Sequence, residues 1–98
     1  MSLTSKQRSY LTGLSNKEES IFQIGKSSLT PEICQALSDA LEARELIKIT
    51  VLKNCMDDPK VIADTIAERT RSTVVRVIGR KIVLYKPSKA KKKIELPK

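Results

Sequence analysis

Between an apolar run, Ile21, Phe22 and Ile24, and a helical pattern that opens at Pro31, the chain carries Gly25-Lys26-Ser27-Ser28-Leu29-Thr30. These are the residue types that hold phosphate. Glycine lets backbone amides approach an anion closely, two serines offer hydroxyls, and Lys26 supplies a point charge. The helix that follows presents unpaired N–H groups at the positive end of its dipole. Thr30 suits the N-cap, Pro31 the first helical position and Glu32 the first turn. Glycine, serine and threonine between a strand and a helix also follow from turn chemistry alone. The octapeptide Ile24–Pro31 therefore admits both a phosphate cradle and a plain βα turn.

The other reactive residue types narrow the chemistry. There is no histidine, which removes the commonest acid–base catalyst and zinc ligand. The two cysteines, Cys34 in a helical pattern and Cys55 in a polar loop, lack metal or redox spacing and read as free thiols. No carboxylate cluster has metal-like spacing. Neither catalytic residues nor a metal, a cofactor or a small-molecule substrate are expected.

Charge points to a polyanion instead. The chain has 19 Lys+Arg against 11 Asp+Glu, net +8, within 98 residues that suit one domain. Residues 86–98 hold six lysines against one glutamate, net +5, while the body carries thirteen basic and ten acidic residues, net +3. The expected division is a domain over 1–86 and a basic tail over 87–98. Nothing near the N-terminus resembles a signal peptide or a membrane span, so the expected location is the cytoplasm, with no membrane partner.

The elements that position the loop follow from periodicity. Thr4 and Gln7 make a capping box for a helix from about Ser5 to Leu14, with Gln7, Tyr10, Leu11 and Leu14 on one side and Lys6 and Arg8 elsewhere. A strand is expected over Ser20–Ile24. Ile33, Ala36, Leu37, Ala40 and Leu41 form the buried stripe of a helix from Pro31 to Arg44, whose outer face bears Glu32, Asp39 and Glu42. Leu46–Leu52 alternates as a strand, with Ile47, Ile49 and Val51 on one side. The β-helix-β succession implies a parallel pair. Asp58-Pro59 opens a third helix with Ile62, Ala63 and Ile66 inward. Val74–Ile78 and Lys81–Tyr85 form a hairpin around Gly79-Arg80. Strict alternation puts Val75, Val77, Ile82 and Leu84 on its apolar face. The opposite face mixes Val74, Ile78 and Val83 with Lys48, Arg76, Lys81 and Tyr85, either as a second contact surface or as a face covered by the first helix. Lys89-Ala90-Lys91-Lys92-Lys93 reads as an electrostatic arm without regular structure, and Ile94 and Leu96 suggest that the end folds back.

This α-β-α-β-α-β-β order, with Leu3–Arg8, Ile24-Gly25-Lys26, Leu29-Thr30, Ala40–Lys48, Val77-Ile78-Gly79, Val83–Lys89 and Ile94–Pro97, resembles the YhbY-like family. These are stand-alone bacterial CRM (chloroplast RNA splicing and ribosome maturation) domains. The resemblance spans nearly the whole chain. It implies a mixed four-stranded sheet similar to the C-terminal domain of bacterial translation initiation factor three, RNA binding, and association with ribosomal RNA in precursors of the large subunit. The family's GxxG loop matches at Gly25, while Ser28 stands at its second glycine. Ser28 either holds a left-handed conformation, costly for serine, or keeps an ordinary one and turns its hydroxyl to phosphate, and the second is the favoured expectation.

The RNA-binding candidates are thus Gly25, Lys26, Ser27, Ser28, Leu29 and Thr30, with Lys6, Arg8, Lys48, Arg76, Arg80, Lys81, Lys89, Lys91, Lys92 and Lys93 as secondary ones. Three aromatics, Tyr10, Phe22 and Tyr85, are too few for a base-stacking platform. The leading expectation is a monomeric, non-catalytic assembly factor for the large ribosomal subunit. The alternatives are a factor acting on the small subunit or tRNA, a protein-interaction module using the acidic helix face, and a small RNase.

Overall fold

Three capped helices alternate with four strands in the computed structural model, which describes residues 2–90 and 92–97. The order is α1 (Ser5–Ser15), β1 (Phe22–Ile24), α2 (Pro31–Arg44), β2 (Leu46–Val51), α3 (Pro59–Thr70), β3 (Thr73–Ile78) and β4 (Lys81–Tyr85). Every helix starts where its cap predicts. Thr4 and Gln7 form the reciprocal capping box of α1. The Ile33 N–H donates to the Thr30 hydroxyl at 3.2 Å, and the Lys60 N–H to the Asp58 carboxylate at 2.9 Å. β1 is shorter than the expected Ser20–Ile24, although the Ile21 N–H still donates to the Lys48 carbonyl at 2.9 Å.

The strands form one mixed sheet in the order β1-β2-β4-β3. β1 and β2 are parallel, and the two remaining pairings are antiparallel. Gly79 has φ +58° at the first position of the hairpin turn, while Arg80 has no positive φ. That pattern is the one a Gly-X type II′ turn requires.

One expectation about the sheet fails. The β3–β4 register jumps between Val74, opposite Leu84, and Arg76, opposite Val83, so Val75 is an extra residue in a β-bulge. A bulge breaks the period of two. Val74 therefore packs with the main core, and Val75 joins the other face beside Val83.

α2 and α3 cover one face, burying Leu37, Leu41, Ile62, Ala63 and Ile66 against Ile24, Ile47, Ile49, Val51, Ile82 and Leu84. Each fully buried aliphatic side chain contributes roughly 1.5–3 kcal/mol. Cys55, expected in a polar loop, is buried in this core as a free thiol. The loop after β2 turns inward at that residue, and the Cys55 N–H donates to the Leu52 carbonyl at 3.0 Å.

α1 lies on the opposite face. Leu11 packs there with Leu46, Val75, Val83 and Tyr85, flanked by Leu3, Leu14, Ile94 and Leu96. Tyr10, assigned by periodicity to the packed side, is 43% exposed at its margin.

The C-terminal segment returns to the body through Glu45. This residue ends α2 with φ +66°. Its buried carboxylate accepts from the backbone N–H groups of Ser88 and Ile94, each at 2.8 Å, and of Lys93. The Lys86 N–H donates to its carbonyl at 2.9 Å, and the Ser88 hydroxyl donates to Glu42 at 2.7 Å. Burial, the largest influence, pushes the Glu45 carboxyl up. The N–H donors of Lys93, Ser88 and Ile94 and the charge of Lys92 together outweigh it, and the carboxyl titrates below its ordinary 4.5.

A carboxyl held low in the folded state stabilises the fold above its unfolded value, and that contribution is lost as pH falls through the folded value. Glu45→Gln replaces a charged acceptor and turns an amide toward N–H donors, at a cost of about 2–3 kcal/mol at pH 7. Urea unfolding at pH 7 and pH 3 should show this loss at pH 7 and a smaller difference from wild type at pH 3. Equal stabilities at pH 7 would contradict the clamp.

Candidate nucleic-acid interface

Because β1 and β2 are parallel, their C-terminal ends lie side by side and the loops that follow them meet. The Leu52 N–H donates to the Ile24 carbonyl at 2.8 Å. The β3–β4 turn reaches the same end: the Val51 N–H donates to the Arg80 carbonyl at 2.7 Å, and the Arg80 guanidinium to the Leu52 carbonyl at 3.1 Å. Lys26, Lys53, Arg80 and Lys81 are all exposed there. Lys53 and Asn54 were not among the sequence candidates. The sign that could have found them is the parallel pair itself, since ligands of α/β sheets gather at the carboxyl ends of such strands.

Within the β1–α2 loop the labour is divided. Leu29 is half-buried against the main core and Thr30 caps α2, so these two hold the loop in place. Gly25 approaches Asn54, whose Oδ1 would lie 3.4 Å from an added Cβ. The Ser28 N–H donates to the Gly25 carbonyl at 2.9 Å, closing a tight turn that leaves Lys26 and Ser27 exposed at its tip.

Ser28 departs from expectation. Its φ is +54°, in the left-handed region, so it adopts a conformation that glycine takes most easily. Its hydroxyl does not point outward as a free phosphate ligand but donates to the Asp57 carboxylate. The serine thus ties the loop before α2 to the loop before α3.

Apart from Arg80 and Lys81, which share this end of the sheet, the secondary candidates do not form one surface with the loop. Lys6 is exposed on the first turn of α1. Arg8, expected to point away, reaches β3, where its guanidinium donates to the Val74 carbonyl at 2.8 Å and to that of Val75. Lys48 donates to the Ser15 carbonyl at 3.4 Å, and Arg76 is exposed on the α1 side of the sheet. Lys89, Lys92 and Lys93 are exposed beside the Glu45 clamp, at the far end of α2, while Lys91 lies outside the described residues. A helix of 14 residues is about 21 Å long, which sets the scale of that separation. The tail lysines project from a segment fastened at Ser88, Lys93 and Ile94 and not from a free arm.

Burial, then the charge of Glu45, pushes the Tyr85 hydroxyl up, and the Ser88 hydroxyl foremost holds Glu42 low. Among the described residues no group of three or more His, Cys, Asp or Glu could hold a metal ion, and no helix is long and apolar enough to cross a membrane. The site offers cations, amides and hydroxyls, which suit contact with an anionic backbone.

Comparison with known proteins bears on the same residues. The CRS1/YhbY (CRM) domain model matches residues 3–86. The chain is 44% identical over 95 residues to a Bacillus subtilis (strain 168) protein named "Probable RNA-binding protein YqeI", covering 97% of this chain and 99% of that one. It is 32% identical over 96 residues to a Haemophilus influenzae protein named "RNA-binding protein", covering 98% and 96%. The solution structure of the hypothetical protein SAV1595 from Staphylococcus aureus superposes with a TM-score of 0.81 at 49% identity, covering 98% of this chain and 100% of that one.

Two substitutions separate the backbone and side-chain roles of Ser28. Ser28→Ala keeps a Cβ in the left-handed region and loses the Asp57 bond, costing about 0.5–1.5 kcal/mol. Ser28→Gly loses the same bond but relieves the backbone, and should be the more stable of the two by about 1 kcal/mol in urea unfolding. Equal stability of the two variants would show that the turn carries no left-handed strain.

Proposed function

The chain belongs to the CRS1/YhbY (CRM) domain family, and from that premise we propose that it is a non-catalytic RNA-binding protein. In this reading it works in the cytoplasm as a monomeric assembly factor on precursor large ribosomal subunits. Residues 1–86 form the RNA-binding domain and residues 87–98 a basic tail. The observation that carries the reading is the loop before α2, which holds Lys26 and Ser27 exposed on a turn fixed from beneath.

Recognition runs through phosphates and shape. Phe22 is packed against the core and Tyr85 is buried, leaving Tyr10 as the exposed aromatic among the described residues. Base stacking therefore has little to work with. The names of the relatives support RNA as the partner, and the absence of histidine from the chain favours binding over catalysis.

A well-aligned charge-assisted phosphate bond is worth roughly 1.5–3 kcal/mol, and every 1.4 kcal/mol is tenfold in affinity. Lys26→Ala should accordingly weaken binding to large-subunit ribosomal RNA fragments about tenfold or more, with an unchanged melting temperature, while Lys17→Ala changes little. Association with precursor subunits in sucrose gradients should disappear after nuclease treatment. Association that survives RNA removal would favour a protein partner and overturn the reading.

The tail is proposed as an auxiliary electrostatic element. Changing Lys89, Lys92 and Lys93 together to Ala should weaken all RNAs by a similar factor, because point charges without aromatics carry no base preference. Selective loss for one ribosomal RNA fragment in the same binding assay would place specificity in the tail instead.

A further inference from the structure

α1 leaves part of its sheet face bare. Arg8 sits over β3 and the Ser15 carbonyl over Lys48 of β2, so the helix runs across the strands. Toward the β3–β4 turn, Gln23 and Lys81 stay exposed on that face, and Ile78 is 52% exposed. Where α1 meets this uncovered half, an open groove of about 470 Å³ is lined by Arg8, Ser9, Thr12, Gly13, Asn16 and Arg76. Four residues of α1 and its C-cap Asn16 recur at i, i+1, i+4, i+5 and i+8, one continuous stripe.

We propose that this groove seats the sugar–phosphate backbone of an RNA strand, as a contact separate from the loop before α2. The proposal rests on the RNA-binding reading and adds a second site to it. Charge is the first argument. Both charged groups lining the groove are arginines, and no carboxylate lines it. Arg76 has no partner among the described residues, and Arg8 uses only Nη1, leaving Nε and Nη2 as donors. The two carbonyl bonds hold the Arg8 guanidinium in place, so little rotamer freedom remains to be lost on binding. The register pairs Arg76 with Val83 and so places it on the α1 side of the sheet. The Ser9 hydroxyl and the Asn16 amide are suited to ribose hydroxyls and phosphate oxygens, while the Thr12 hydroxyl, which donates to the Arg8 carbonyl at 2.9 Å, can accept from a ribose hydroxyl.

Gly13 supplies the second, independent argument. Glycine is disfavoured inside a helix relative to alanine. A Cβ on Gly13 would meet nothing within 4 Å, and its φ is not in the left-handed region, so neither packing nor backbone geometry within the chain calls for glycine. What its missing side chain leaves is room in the groove for close approach of a backbone.

The test compares Gly13→Ala, Arg76→Ala and Lys26→Ala in the full chain. The probe is a fluorescein-labelled RNA hairpin with an eight-nucleotide single-stranded extension, titrated from 0.05 to 0.3 M KCl. Arg76→Ala should weaken binding about fivefold to tenfold and flatten the log–log salt slope by roughly 0.7–0.9, the loss of one phosphate contact. Gly13→Ala should weaken binding severalfold while raising the melting temperature. A role confined to the fold cannot move those two readouts in opposite directions. If both groove variants bind as wild type while Lys26→Ala binds weakly, the groove is wrong and the RNA-binding reading stands. Should wild type bind the hairpin no better than an equally basic control protein, both fall together.

Discussion

The carboxylate of Glu45 is buried, and the backbone N–H groups of Ser88, Lys93 and Ile94 converge on it. Removing a carboxylate from water costs several kcal/mol, and charge-assisted hydrogen bonds return roughly 1.5–3 kcal/mol each. With three donors the balance favours the charged form, in keeping with a carboxyl that titrates below its ordinary value. Through this residue the end of α2, the start of β2, the exit of β4 and the C-terminal segment are joined. The Lys86 N–H reaches its carbonyl, and Ile94 and Leu96 close over the α1 core behind it. Glu45 holds a positive φ to do so. That strain persists because the surrounding bonds over-determine it.

The clamp decides how the positive charge is laid out. A free lysine run would sweep the whole surface, whereas a fastened one is confined to the far end of α2 from the Lys26 loop. The candidate contacts then lie at three separate places: the loop end of the sheet, the α1 groove and the clamp. A polyanion that meets all three has to extend over a length comparable to α2. Extended shape is a property of structured RNA, so the spacing of charge adds discrimination that net charge alone lacks.

Much of this was legible in the sequence because it depended on local chemistry. The caps at Thr4, Thr30 and Asp58 placed all three helices, and the stripe ending at Leu37 and Leu41 identified the face of α2 that is buried deepest. The strand alternation in β2 separated Ile47, Ile49 and Val51 from Lys48. What failed depended on contacts distant in the chain. The bulge at Val75 is invisible in Val74-Val75-Arg76-Val77, where three valines suit either face. Cys55 does lie in the loop after β2, but its burial comes from packing with the main core, which the loop composition does not reveal. Glu45 looks like one more exposed helix-end acid, since its donors lie more than forty positions away. Lys53 and Asn54 could have been found, had the parallel pairing of β1 and β2 been followed to its geometric end.

Ser28 shows why the candidate loop was harder to read than its composition suggested. A hydroxyl presented to phosphate and a left-handed hinge are the two roles its sequence position offers. The structure combines the hinge with a hydroxyl directed at Asp57. Asp57 and Asp58 carry two carboxylates into the loop before α3. Asp58 caps α3, and Asp57 accepts from Ser28 and so ties the loop before α2 to the loop before α3. A glycine at 28 could adopt the same turn but could not form that link. The substitution therefore exchanges backbone ease for a cross-loop bond, and Lys26 and Ser27 are left at the tip of a turn braced from both neighbouring helices.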